Sequence, residues 1–111
     1  MDEARLTVSP EADADMAQIG TYIAERDGAA RANAAVERIQ RTMRNLAAMP
    51  GMGRRRSYLN PKQRAFPAPP WIIYYEMLPE GDGIRVVRII DGRRDLPRLF
   101  GKTKRKPPDI G

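Results

Sequence analysis

The chain has 111 residues, enough for one modest hydrophobic core, and it contains neither cysteine nor histidine. The absence of cysteine excludes a disulfide framework and a thiolate metal site. The absence of histidine removes the commonest metal ligand and the commonest general base at neutral pH, which argues against a metalloenzyme or a Ser-His hydrolase. We therefore expect no metal site and no cofactor.

The formal net charge of +6 is distributed unevenly along the chain. Residues 1–37 hold eight acids and three bases, whereas residues 38–111 hold seventeen bases and six acids. A basic carboxyl half favours an anionic partner such as nucleic acid, a ribonucleoprotein or an acidic protein segment, although scattered cations also serve solubility. No apolar run approaches the roughly 20 residues that span a bilayer, and the acidic amino terminus is unlike a signal peptide. We expect a cytoplasmic protein without a membrane partner.

The first half of the chain predicts a short strand followed by two helices. Residues 5–8 can form the strand, and Ser9 is placed to cap the helix that follows. Apolar residues recur at three- and four-residue steps over residues 10–27 and again over residues 30–49. Two amphipathic helices in succession form a hairpin, whose apolar stripes must be covered by another element. A sheet built from the second half is the remaining candidate.

The second half predicts an antiparallel meander. Residues 52–63 lack periodicity and are expected to be a loop. Three strand-like segments follow, of which the first is restricted to a sheet edge by its prolines: residues 64–68, 71–78 and 84–90.

The two longer strands carry apolar residues on both faces. If the turn pairs Leu78 with Ile84, one face holds Ile72, Tyr74, Leu78, Ile84, Val86 and Ile90, and the other holds Trp71, Ile73, Tyr75, Met77, Val87 and Ile89. Because one helix hairpin covers only one face, the second is predicted to be an exposed apolar surface that binds a partner. The alternative is a strand buried on both sides beneath loops and the carboxyl segment.

The order of elements and five short stretches resemble the ParE branch of the RelE/ParE toxin superfamily. The stretches are LTVSPEA from residue 6, YIAER from residue 22, LAAMPGMGR from residue 46, IIYY from residue 72 and VRIIDGRRD from residue 87. The resemblance implies an α+β fold in which a short N-terminal strand and a two-helix hairpin pack on a three- to four-stranded antiparallel sheet. Residues 1–100 would form this single domain, and residues 101–111 a basic, flexible tail.

ParE-like proteins are toxins of type II toxin–antitoxin pairs, which implies a function for this chain. It would inhibit DNA gyrase by binding, without catalytic residues, and would be neutralised by a ParD-like antitoxin in a heterotetramer or larger hetero-oligomer. A disordered acidic antitoxin segment that folds on binding would match the apolar face and its arginines. Sequence-specific binding of nucleic acid by the toxin itself is not expected.

Two alternatives stay open at this point. RelE-branch proteins are ribosome-dependent mRNA endoribonucleases, a chemistry that needs an acid and a base beside its cations, whereas residues 93–111 contain no histidine or tyrosine. A small basic nucleic-acid-binding module would instead use the carboxyl half on phosphates, with strongly salt-dependent affinity.

Arginines dominate the candidate interaction residues. The candidates for the target or toxicity surface are Arg54, Arg88, Arg93 and Arg94, and those for antitoxin binding are Arg64, Trp71, Tyr74, Glu76 and Arg88. Arg88 lies in an otherwise apolar strand and needs a carboxylate, which an antitoxin or the chain's own Glu76 would supply. Glu76 stands where family members often have arginine, and Asp91 where they often have histidine. These changes would weaken toxicity, alter the target, or form local pairs with Arg88 or Arg93.

Overall fold

The computed structural model describes residues 4–55 and 61–93, which form two helices packed on a five-stranded sheet. The elements are β1 (Arg5–Val8), α1 (Pro10–Asp27), α2 (Ala29–Ala48), a 3₁₀ turn (Pro50–Met52), β2 (Arg54–Arg55), β3 (Gln63–Ala68), β4 (Trp71–Met77) and β5 (Gly83–Asp91). The predicted α+β class and helix hairpin are confirmed, as are the three longest predicted strands.

The sheet is larger and more mixed than the sequence predicted. Its strand order is β1-β5-β4-β3-β2; β1 runs parallel to β5, and the other neighbours are antiparallel. The strand β2 lies where we expected only loop, because a two-residue strand shows no periodicity. The pairing of β1 with β5 joins segments from opposite ends of the chain, which local patterning cannot reveal.

The predicted N-cap of α1 is confirmed and also ties the helix to the sheet. The Ser9 hydroxyl oxygen accepts a hydrogen bond from the Ala12 amide at 3.0 Å, and the hydroxyl donates to the Val87 carbonyl at 2.8 Å. The Ser9 amide donates to the Val86 carbonyl at 2.9 Å. One buried serine therefore starts α1 and fixes its position on β5.

The main core lies between the helices and one face of the sheet. Its buried members are Ala12, Ile39, Met43, Leu46, Ala47, Ala68, Ile73, Tyr75, Ile84, Val86 and Ile89. Fully burying a side chain such as Ile39 or Leu46 contributes about 1.5–3 kcal/mol each, so α2 is held mainly by its apolar stripe. Met49 just beyond that helix is 61% exposed.

A β-bulge changes which residues of β5 face the helices. Tyr74 pairs with Arg88 while Tyr75 pairs with Val86, so Val87 is the extra residue. The predicted pairing of Leu78 with Ile84 is wrong, since Ile84 pairs with Met77. The predicted faces are consequently wrong for the first half of β5: Ile84 and Val86 join the helix-facing core.

The second face of the sheet is not the exposed apolar surface that the sequence predicted. Ala65, Tyr74 and Ile90 form a separate buried cluster there, against which the half-buried Ile72 packs. Tyr74 has no exposed surface at all. A partner surface on this molecule has to be sought elsewhere.

Gly83 opens β5 at a point where β1 approaches closely. A Cβ atom added there would overlap the backbone carbonyl of Arg5, which cannot move without breaking the parallel pairing. Gly51, by contrast, has open space where its Cβ would be.

We expect Gly83→Ala to lower the free energy of unfolding by about 1–3 kcal/mol or more, because the added methyl group overpacks against backbone. The matched control Gly51→Ala should change it by less than about 0.5 kcal/mol. Urea unfolding followed by circular dichroism measures both values, and equal stability of the two variants would contradict the close approach of β1.

Candidate interaction site

Arg88 binds an internal carboxylate that the sequence did not identify. Its Nε and Nη2 donate to the two oxygens of Asp15 at 2.7 and 2.9 Å, and the Ile89 amide donates to the same carboxylate at 2.9 Å. The Asp15 side chain is 12% exposed and that of Arg88 33%. The hydrogen bond to Asp15 is the main cause that raises the pKa of Arg88.

This pair identifies the internal partner of Arg88. The internal partner is Asp15 on α1 instead of Glu76, and it binds one edge of the Arg88 guanidinium. Because β1 reaches only Val86 along β5, the carboxylate of Asp15 satisfies the strand edge beyond that point. Arg88 therefore serves the packing of α1 against the sheet, and no periodic signal distinguishes Asp15 from the other acids of α1.

A second set of contacts fixes the turn that leads into β2. The Tyr75 hydroxyl donates to the Pro50 carbonyl at 2.7 Å and accepts from the Gly53 amide at 2.7 Å. Nη1 of Arg64 donates to the Gly53 carbonyl at 2.8 Å. The buried Tyr75 therefore binds the backbone at both ends of the turn, and the guanidinium of Arg64 binds the backbone within the same turn.

Gly53 is required by this arrangement, because a Cβ atom there would overlap the Tyr75 ring and hydroxyl. Burial raises the pKa of Tyr75 above its ordinary value of 10.0, and the Gly53 hydrogen bond and the charge of Arg64 oppose that shift. The phenol consequently keeps the proton that it donates to the Pro50 carbonyl.

The anchored turn presents four exposed side chains that we call the β2 corner: Met49, Met52, Arg54 and Arg55. Met49 is 61% exposed and Met52 37%. Within residues 4–55 and 61–93, Arg54 and Arg55 form no ion pair. The β2 corner therefore combines apolar and cationic groups that have no partner in the described part of the chain.

The other predicted residues are dispersed. Asp91 accepts hydrogen bonds from the Arg93 amide and guanidinium, which confirms the local pair as one expected outcome of having an acid there. This contact is the main cause that raises the pKa of Arg93. Trp71 and Glu76 are half-buried on different faces of β4, and Arg94 lies outside the described residues.

Two contacts on the helices were missed by the sequence analysis. The Arg38 guanidinium on α2 donates to the Pro69 carbonyl at 2.7 Å and lies 5.8 Å from the Trp71 ring centre. On α1, Arg26 donates to the Tyr22 hydroxyl at 3.0 Å. The four-residue spacing of Tyr22 and Arg26 on a helix was a readable signal.

Over the two described ranges, no cluster of three or more potential metal ligands occurs. Neither helix in those ranges has the length and apolarity needed to cross a membrane.

Comparison with known proteins identifies the family. Residues 6–96 match the model for the ParE toxin of the type II toxin–antitoxin system parDE. This chain belongs to the ParE toxin family.

One relative agrees with that assignment, and one solved structure agrees with the fold. Toxin ParE3 of Caulobacter vibrioides is 34% identical over 88 residues, which cover 79% of this chain and 86% of that toxin. A solved structure of the chromosomal ParDE TA system from P. aeruginosa matches the fold with a TM-score of 0.64 at 23% identity, covering 78% of this chain and 92% of that chain. The expected ParE-like toxin fold is confirmed.

We expect Asp15→Ala to lower the free energy of unfolding by about 2–4 kcal/mol, because it leaves the partly buried Arg88 and the Ile89 amide unpaired. Asp13→Ala is the matched control, since Asp13 is an exposed acid of the same helix. It should cost less than about 1 kcal/mol through the helix dipole. Chemical denaturation compares the two variants, and equal losses would rule out a special role for Asp15.

We expect Tyr75→Phe to lower the free energy of unfolding by about 1–3 kcal/mol, because the buried Gly53 amide and the Pro50 carbonyl lose their partner.

The contribution of Tyr75 should also depend on pH. Because the pKa of Tyr75 is raised in the folded state, its contribution to stability is complete below about pH 10 and declines above it. Between pH 8.5 and 11, the free energy of unfolding should thus fall less steeply with pH in Tyr75→Phe than in the parent protein. If the free energy of unfolding depended on pH in the same way in both proteins, the pKa of the Tyr75 phenol would not differ between the folded and unfolded states.

Proposed function

We propose that this ParE-family toxin inhibits DNA gyrase by binding it, and that a ParD-like antitoxin neutralises it in a hetero-oligomer, a heterotetramer or larger. The match of residues 6–96 to the ParE toxin model carries this proposal. The similarity to Toxin ParE3, which extends over most of both chains, supports it.

The β2 corner is the best candidate for the gyrase contact among the described residues. Its arginines have no ion pair within residues 4–55 and 61–93, its two methionines are exposed, and its backbone is fixed by Tyr75 and Arg64. Arginine and methionine are enriched at protein interfaces, and the fixed backbone of this turn needs no ordering on binding. We therefore place Arg54 on the toxicity surface in preference to Arg88, whose guanidinium binds Asp15 along one edge.

The same corner suits an antitoxin. The strand β2 is the edge of the sheet, so its outer backbone groups can pair with an extended segment. Carboxylates of such a segment would pair with Arg54 and Arg55, and its apolar residues would cover Met49 and Met52. An antitoxin bound there would neutralise the toxin by covering the surface that contacts gyrase.

Among residues 4–55 and 61–93, Arg54 and Arg55 have no acid–base partner of the kind that ribonuclease chemistry requires. The chain has no histidine, Tyr74 and Tyr75 are buried, the exposed Tyr22 lies on α1 bound to Arg26, and Tyr58 lies outside the described residues. We therefore favour inhibition by contact over the RelE-type cleavage of mRNA.

In a gyrase supercoiling assay with relaxed plasmid, the purified toxin should block supercoiling and leave mRNA intact in a translation extract. The variant Arg54→Glu/Arg55→Glu should be at least about tenfold less inhibitory, because it reverses the charge of the surface that is proposed to contact gyrase. The charge-matched comparison is between Arg54→Glu alone and Arg85→Glu, at an exposed arginine on the distant strand β5.

Three outcomes discriminate. Selective loss in the β2 variant, with circular dichroism unchanged, supports the corner as the gyrase contact. Equal loss in Arg54→Glu and Arg85→Glu would point to net charge instead. Normal supercoiling together with cut mRNA would replace gyrase by the ribosome as the target.

A further inference from the structure

The outer surface of α2 is strongly basic. It carries four exposed arginines and a single acid: Arg31, Arg38, Arg41, Arg44 and Glu37. The adjacent helix α1 has the opposite character, with five acids and one arginine. The helix hairpin therefore has one acidic and one basic helix, and the basic side of α2 faces solvent.

The four arginines form one continuous stripe. At 3.6 residues per turn, they fall within about 140° of arc on the side of α2 opposite its buried residues. Arg31 and Arg44 are about 20 Å apart along the helix axis. One strand of duplex DNA places a phosphate every 3.4 Å or so along its axis, and hence about six phosphates over that length.

Intramolecular pairing does not account for this stripe. Arg5, Arg88 and Arg93 each bind a carboxylate, whereas Arg31, Arg41 and Arg44 form no ion pair within the described ranges. Arg31 lies in the first turn of α2, where the helix dipole disfavours a cation. The local stability of α2 therefore does not explain the arginine at that position.

Arg38 differs from the other three because it is held in place. The Pro69 carbonyl accepts a hydrogen bond from its Nη2 at 2.7 Å, and the Trp71 ring lies beneath its guanidinium. Its remaining donors stay at the surface of α2, since the residue is exposed. It adds a fixed cation to the stripe.

The remaining exposed side chains on α2 indicate the kind of partner. They are short or polar, and include Asn33, Gln40, Asn45 and several alanines. This helix exposes no aromatic or large aliphatic residue, so it lacks the anchors typical of protein interfaces and the stacking platforms typical of single-strand binding. Arginine with asparagine and glutamine is the composition that contacts phosphates in duplex DNA.

We propose that the outer face of α2 binds the phosphate backbone of duplex DNA without reading its sequence. This role goes beyond inhibition of gyrase and can be tested without gyrase. If the toxin also binds gyrase, the contact places it on the DNA that gyrase holds.

Other occupants of the α2 face fit less well. The chain's own residues 101–111 contain four bases and one acid, so like charges would repel them from the stripe. A second copy could bring its acidic α1 against α2, which would change the mass of the protein in solution.

The test is fluorescence anisotropy of a labelled 20-base-pair duplex with the purified toxin, from 50 to 300 mM salt. The variant Arg31→Gln/Arg41→Gln/Arg44→Gln retains helix propensity while removing three charges. It should bind at least about tenfold more weakly at 50 mM salt, and the slope of log K against log salt should fall by about 2–3. Glu37→Gln should bind more tightly.

The charge-matched control is Lys102→Gln/Lys104→Gln/Lys106→Gln, which removes three charges from outside α2. Loss confined to the α2 variant, with circular dichroism unchanged, supports the proposal, and it does so even if gyrase proves not to be the target. Equal losses in the two triple variants would overturn it in favour of net charge. If the parent toxin has the solution mass of a dimer and the α2 variant that of a monomer, the α2 face binds a second copy instead of DNA. Stronger binding to single-stranded RNA than to the duplex would identify RNA as the ligand.

Discussion

The fold depends on how the edge of β5 is closed. This strand has nine residues, but the four-residue strand β1 covers only its first part. The backbone beyond the end of β1 is satisfied by side chains at the start of α1, through the Ser9 hydroxyl and the Asp15 carboxylate. Because exposed strand edges are templates for unwanted pairing, this closure matters for solubility as well as for stability. It also fixes where α1, and with it the hairpin, lies on the sheet.

That closure changes the interpretation of the arginines. Arg88 belongs to the VRIIDGRRD stretch through which the chain resembles its family, yet both oxygens of Asp15 bind one edge of its guanidinium. Arg64 is similarly used, since it binds the carbonyl of Gly53. Within residues 4–55 and 61–93, the two groups of neighbouring exposed arginines without an ion pair lie at the β2 corner and along α2, and Arg85 on β5 is a further exposed arginine. Position in a family motif and availability for a partner are therefore separate properties, and only the hydrogen-bond partners distinguish them.

The β2 corner and α2 offer two different surfaces. The corner combines methionine with arginine on an anchored turn and on the last strand of the described sheet, which suits a polypeptide. The α2 stripe combines arginine with short polar side chains, which suits a polyanion without apolar anchors. If the toxin acts on gyrase as proposed, it has use for both kinds of surface. The two are close in sequence because the 3₁₀ turn connects them.

The sequence alone determined the fold class, the two helices, the cap at Ser9, the three long strands and the family, because each leaves a local signal of period, cap or motif. The tertiary structure alone decided the bulge at Val87, the parallel pairing of β1, the burial of Tyr74 and the partner of Arg88. The exposed apolar face was wrongly predicted because counting helices cannot show what buries a sheet. In each of these cases the interacting groups lie far apart in the chain or depend on one shifted residue. Such contacts are selected by the packing of the whole molecule, and the sequence carries no local pattern for them.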